Sequence, residues 1–207
     1  MRGNTRVFNE HIAFLRQRQA AGQTFNYLEI GAAAGGTLRM AVNLLLNSEQ
    51  PWKVVGVDVP NGWCLDIPMI NQRFADAKTD SQRPLFFEYP HGTVEVMICD
   101  GGVQKDFPID MCLWDFVFVD GCHGKACAIA DFIKVESQVR PGGRVCFHDA
   151  SANCQGRDRK QHCGGRQGIR VRPALQELGL LDDRRPGWKR VGETFAGRGI
   201  VIFEKVL

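Results

Sequence analysis

The residues best suited to chemistry fall into two sets. The first is Glu29 and Gly31, followed by Ala32-Ala33-Ala34-Gly35-Gly36-Thr37, with Asp58 and Asp100 further along the chain. Gly31 and Gly35 are four apart, so backbone can come close to a ligand at this turn, but the G-x-G-x-x-G spacing that seats a pyrophosphate is absent. Glu29 is an awkward neighbour for a phosphate and a good partner for a cationic ligand carrying an amino group. Asp58 and Asp100 each close an apolar run, where one carboxylate can accept both hydroxyls of a ribose and the other can reach an adenine edge.

The second set is Asp120 and His123, in Val119-Asp120-Gly121-Cys122-His123, with His148 and Asp149, in Phe147-His148-Asp149. Both acids stand at the ends of apolar runs. If the runs are neighbouring strands, their ends lie about 5 Å apart and the two acids can share one ion at about 2.1 Å each, magnesium being the natural guess. His148 would face away from Asp149 on a regular strand, so it ligates only if the chain turns there.

Elements to position these residues are readable from periodicity. Phe8, Ile12 and Leu15 mark an N-terminal helix within residues 1–23. Phe25 to Gly31 reads as a strand, and Leu38, Ala41, Val42, Leu45 and Leu46 as the helix behind it. Trp52 to Val59, Thr93 to Cys99, Trp114 to Asp120 and Gly142 to His148 supply further strands. Helices are expected from about Asp66 to Lys78, around Ala126 to Ile133, and from Pro173 to Leu178 with Gly179 as the stop. Trp188 to Phe195 and Gly199 to Glu204 read as an antiparallel hairpin. Strands apolar on both faces that alternate with helices predict an α/β fold: a Rossmann-like, doubly wound, mostly parallel sheet of seven strands in a single domain, 1–207.

At this point the sequence resembles the class I S-adenosylmethionine-dependent methyltransferases, from about Asn26 to Ala150. Tyr27-Leu28-Glu29-Ile30-Gly31-Ala32-Ala33-Ala34-Gly35-Gly36-Thr37 is similar to their first motif and Val55-Gly56-Val57-Asp58 to their second. The resemblance implies S-adenosylmethionine as cofactor, with Glu29, Gly31, Ala33, Gly35 and Thr37 around its methionine part, Asp58 on the ribose, Asp100 on the adenine, and Asp120 closing the same pocket. Val-Asp-Gly-Cys-His and Phe-His-Asp further resemble the metal-dependent O-methyltransferases of catechol and macrolide-sugar type. That likeness implies a divalent metal held by Asp120, His148 and Asp149, and His123 as general base. Cys122 stands where relatives often carry an acid, and the tyrosine of the pattern is missing from Gly124-Lys125-Ala126.

A net charge of +3 on 207 residues does not announce a nucleic-acid or membrane partner. Charged residues at Arg2, Arg6, Glu10, Arg16 and Arg18 interrupt any signal-peptide core, so a cytoplasmic protein is expected. Among eight cysteines only Cys154 and Cys163, beside His162, invite a metal reading, and no CxxC pair supports it. The loop 151–168, with the residues just after it, carries Arg157, Arg159, Lys160, Arg166, Arg170 and Arg172 against Asp158, a candidate lid over an anionic acceptor. The expected activity is O-methylation of a small hydroxylated molecule, by a monomer or homo-oligomer. Metal-independent methylation of nitrogen or nucleic acid, or cofactor binding without turnover, are the alternatives.

Overall fold

The computed structural model describes residues 2–32, 35–58, 85–98, 112–154 and 169–206. Its strands are β1 (Phe25–Ile30), β2 (Trp52–Asp58), β3 (Leu85–Tyr89), β4 (Gly92–Ile98), β5 (Trp114–Val119), β6 (Val139–His148), β7 (Trp188–Thr194) and β8 (Ile200–Lys205). The described helices are α1 (Arg2–Gln17), α2 (Gly36–Leu45), α3 (Lys125–Val135) and α4 (Val171–Glu177). All eight strands form one sheet, in the order β3-β4-β2-β1-β5-β6-β8-β7. The stretch β4-β2-β1-β5-β6 is parallel; β3 and the β7–β8 hairpin run antiparallel at the two edges.

The period of two along each strand divides the core. From β1, Phe25 and Tyr27 face a layer made by Phe8, Ile12 and Leu15 of α1 and Leu38, Ala41, Val42 and Leu45 of α2. Leu28 and Ile30 face the opposite layer, with Phe132 and Val135 of α3 and Val171 and Leu175 of α4. This two-sided burial is why the parallel strands read as unbroken apolar runs. The Phe8 ring of α1 meets Phe116 and Phe118 of β5 edge-on, each at 5.5 Å between centroids. The N-terminal helix is therefore part of the core, and it ends at Gln17.

The sheet has eight strands where seven were expected, and β3 is the addition. Pro84 and Pro90 bracket its five residues, and prolines read as breakers. At a sheet edge they are tolerated, because one side of the strand needs no partner. Gly179, at φ 73°, follows α4 as expected. The helix expected near 66–78 and most of the loop 151–168, from 155 onward, lie outside the described residues. Among the described residues no helix is long and apolar enough to cross a membrane.

Candidate active site

Register brings the first set of residues to one line. Ile30 of β1 pairs with Val57 of β2 and Val119 of β5, so the next residues, Gly31, Asp58 and Asp120, stand level at the carboxyl edge of the sheet. Backbone bonds lock this level: Gly31 N–H donates to Val57 O at 2.8 Å and Asp120 N–H to Ile30 O at 2.8 Å. Gly31 sits at φ 86°, and a Cβ there would lie 2.4 Å from the Gly121 Cα. Only glycine allows the turn after β1 to press against the Asp120–Gly121 backbone. Gly35, at φ 70°, caps α2, and Thr37 lies in its first turn. Ala33 and Asp100 lie outside the described residues.

Glu29 is buried beneath this edge and accepts a 2.8 Å hydrogen bond from the Tyr27 hydroxyl. Burial pushes its carboxyl well above the usual range, and the charges of Asp120 and Asp58 push in the same direction, against the Tyr27 bond. Such a group gains most from a nearby cation.

Asp120, His123, His148 and Asp149 form one cluster. Asp120 follows β5, His123 precedes α3, and a backbone bond from Arg170 N–H to His123 O, at 2.8 Å, ties that loop to the start of α4. His148 ends β6, and the chain does turn there: Asp149 holds φ 56°, a left-handed backbone that a non-glycine residue rarely adopts. The turn breaks strand alternation and lets adjacent side chains reach one place. His148 Nδ1 lies 2.8 Å from Asp120 Oδ1 and 3.3 Å from Asp149 Oδ1. His123 Nε2 lies 3.1 Å from Asp149 Oδ2 and 3.6 Å from Asp120 Oδ1. One donor atom each from Asp120, His123 and Asp149 fall within 4.8 Å of one another, the reach of a shared metal ion.

The electrostatics follow. Burial raises Asp120, but its two imidazole neighbours outweigh burial and hold the carboxyl below the usual carboxylate range. Asp149 is fully buried, and burial pushes it up against the pull of His148 and His123. The Asp120 carboxylate raises His123. For His148, burial acts downward, but Asp120 and Asp149 outweigh it and its pKa stands above the ordinary value.

Arg198 joins the cluster and was not foreseen. It lies on the β7–β8 turn, and its Nη1 donates to Asp149 Oδ2 at 3.2 Å while half of the side chain stays exposed. Ser151 N–H bonds Arg198 O at 2.9 Å, which holds the turn against the residues that follow the cluster. The only local hint is its place between Gly197 and Gly199. Arg172 donates to Ala150 O at 3.1 Å and to Glu193 at 2.7 Å. His162 and Cys163 lie outside the described residues, as does the Cys154 side chain.

A family model described as a methyltransferase domain matches residues 28–150, from β1 to the cluster. The chain belongs to the methyltransferase domain family. Among solved structures, this methyltransferase is similar to the O-methyltransferase from Bacillus cereus, crystallised in complex with SAH. The likeness covers 96% of this chain and 80% of that one, at TM-score 0.56 and 18% identity. It is also similar to the N-methyltransferase NodS from Bradyrhizobium japonicum WM9, over 98% and 96% of the two chains, at TM-score 0.53 and 16% identity. At these identities the likeness is one of fold, and the same fold serves oxygen and nitrogen acceptors. No curated protein sequence matches this methyltransferase.

Proposed function

We propose that this methyltransferase transfers the methyl group of S-adenosylmethionine to a hydroxyl of a small molecule, beside a divalent metal ion. One observation carries the reading: the close approach of Gly31 to Gly121, which joins the turn after β1 to the Asp120 cluster, so that methyl donor and acceptor would meet there. Glu29, Gly31, Gly35 and Thr37 surround the methionine part of the cofactor, and Asp58 accepts from its ribose. The SAH bound to the Bacillus cereus enzyme supports this cofactor.

Two carboxylates and an imidazole, from Asp120, Asp149 and His148, suit a divalent ion by the chemistry of their donors. Such an ion lowers the pKa of a hydroxyl held against it. His123, beside both carboxylates, takes the hydroxyl proton, and the oxygen lone pair forms the new bond to the methyl carbon while the carbon–sulfur bond breaks. Asp120 and Asp149 hold the charge that His123 gains. The half-exposed Arg198 guanidinium, beside Asp149, favours an acceptor carrying a carboxylate or phosphate.

The test is calorimetric titration of S-adenosylmethionine into the protein and into Asp58→Ala. Micromolar binding, weakened tenfold or more in the variant, is the expected result. No binding to either protein overturns the cofactor assignment, and methyl transfer that survives a chelator overturns the metal.

A further inference from the structure

Tyr27 is a polar residue in a hydrocarbon layer. It stands two residues before Glu29 on β1, so the period of two puts both side chains on the face covered by α1 and α2. Both are buried, among Phe8, Leu38, Val54, Phe116, Phe118 and Cys146. A hydroxyl placed there needs a partner, and the Tyr27 hydroxyl finds it by donating to Glu29 Oε2 at 2.8 Å.

The packing fixes where that hydroxyl stands. The Tyr27 ring lies nearly parallel to Phe116, at 7° and 6.0 Å between centroids, and meets the Phe8 ring edge-on at 6.1 Å. Held between two elements, β5 and α1, the ring has little freedom to tilt, so the hydroxyl is a fixed support for the carboxylate. Glu29 in turn pairs in register with Gly56 and Phe118, directly beneath the edge where Gly31, Asp58 and Asp120 stand level. Among the described residues no cation pairs with Glu29; burial and the charges of Asp120 and Asp58 act against its ionisation, and the Tyr27 bond acts for it. A buried acid with one hydroxyl donor and two acidic neighbours is completed by a cationic ligand.

We propose that Tyr27 is a positioning residue, whose hydroxyl holds Glu29 in place to pair with the ammonium group on the methionine part of the cofactor. The inference rests on the cofactor reading proposed above. Tyr27 itself does not touch the cofactor, so its whole effect on binding passes through Glu29.

The experiment is calorimetric titration of the full chain with S-adenosylhomocysteine and with methylthioadenosine, which keeps the adenosine and sulfur but lacks the amino acid. Parent, Tyr27→Phe, Glu29→Gln and the double variant are compared. Tyr27→Phe should weaken S-adenosylhomocysteine about tenfold and leave methylthioadenosine within about twofold of the parent. The double variant should bind S-adenosylhomocysteine no more weakly than Glu29→Gln alone, as residues acting through one contact are not additive. Unchanged S-adenosylhomocysteine binding in Tyr27→Phe, equal losses for the two ligands, or additive losses in the double variant overturn the proposal. The chain has two tyrosines, Tyr27 and Tyr89, so a second measurement needs no change at Tyr27: fluorine resonances of fluorotyrosine-labelled protein, assigned with Tyr89→Phe. The Tyr27 resonance should move with S-adenosylhomocysteine and not with methylthioadenosine; a resonance that responds alike to both overturns the proposal even where Tyr27→Phe fails to fold. Parent protein that binds no S-adenosylhomocysteine overturns the cofactor reading and this inference with it, whereas tight binding that ignores Tyr27→Phe overturns this inference alone.

Discussion

Asp131 is a buried acid that the proposed chemistry does not use. It lies on α3 under the loop of the cluster, its Oδ2 3.6 Å from where a Cβ at Gly121 would stand. Burial pushes its carboxyl up to about 7, with a smaller push from Cys127. A folded-state pKa above the unfolded one means that its favourable contribution is complete below about pH 4 and is lost as pH rises through 7. Asp131→Asn cannot ionise, so its stability relative to the parent should improve by about 2–3 kcal/mol between pH 5 and pH 7.5, read by urea denaturation at both values. A difference that stays constant with pH would show that Asp131 is already matched to a cation. Asp120, His123 and Asp149 were legible at this scale because each closes or follows an apolar run. Arg198 was not, because nothing near it in sequence shows that its turn folds against Ser151.

Elements were legible wherever the apolar pattern is continuous. Strands β1, β2, β4, β5 and β6 and helices α1 to α3 all carry it; β3 is short, lies between prolines and takes its partner only from β4. Two glycines, one in the turn after β1 and one at the start of α2, provide a contrast that local propensity cannot. Gly31 combines φ 86° with a clash at 2.4 Å, whereas a Cβ on Gly36 would meet nothing within 4 Å. Gly31→Ala should cost about 3 kcal/mol or more, or prevent folding, while Gly36→Ala, in the first turn of α2, should stabilise by up to about 1 kcal/mol. Thermal melts of the two variants check this, and a Gly31→Ala protein as stable as the parent would remove the argument for close approach.

Across the whole molecule, α1 is clamped to β6 and β8. Arg144 on β6 bonds Glu204 on β8 at 2.7 Å and 3.0 Å, its guanidinium stacks 4.2 Å from the Phe14 ring centroid, and its Nη1 donates to His11 Nδ1 at 2.7 Å. His11 must be neutral to accept that bond. Burial and the Arg144 charge pull it down to about 4, while Glu10 and Glu204 act weakly the other way and Lys189 bonds Glu204 from beyond. A depressed pKa means that the contribution is complete above about pH 6.5 and disappears as pH falls through 4. Acidification over that interval should cost about 1–3 kcal/mol in the parent, allowing for partial exposure, and clearly less in His11→Gln. Equal losses in urea denaturation would place the acid sensitivity elsewhere. What the sequence by itself determined was the layered α/β core and the acids at its strand ends, because the period of two and the small-residue turn are local properties of the chain. Only the tertiary structure decided which imidazole meets which carboxylate, that Arg198 joins them and that Glu29 lies buried between two other acids. Those outcomes depend on strand register, on one left-handed residue and on a distant turn, which are set by packing between segments far apart in the chain.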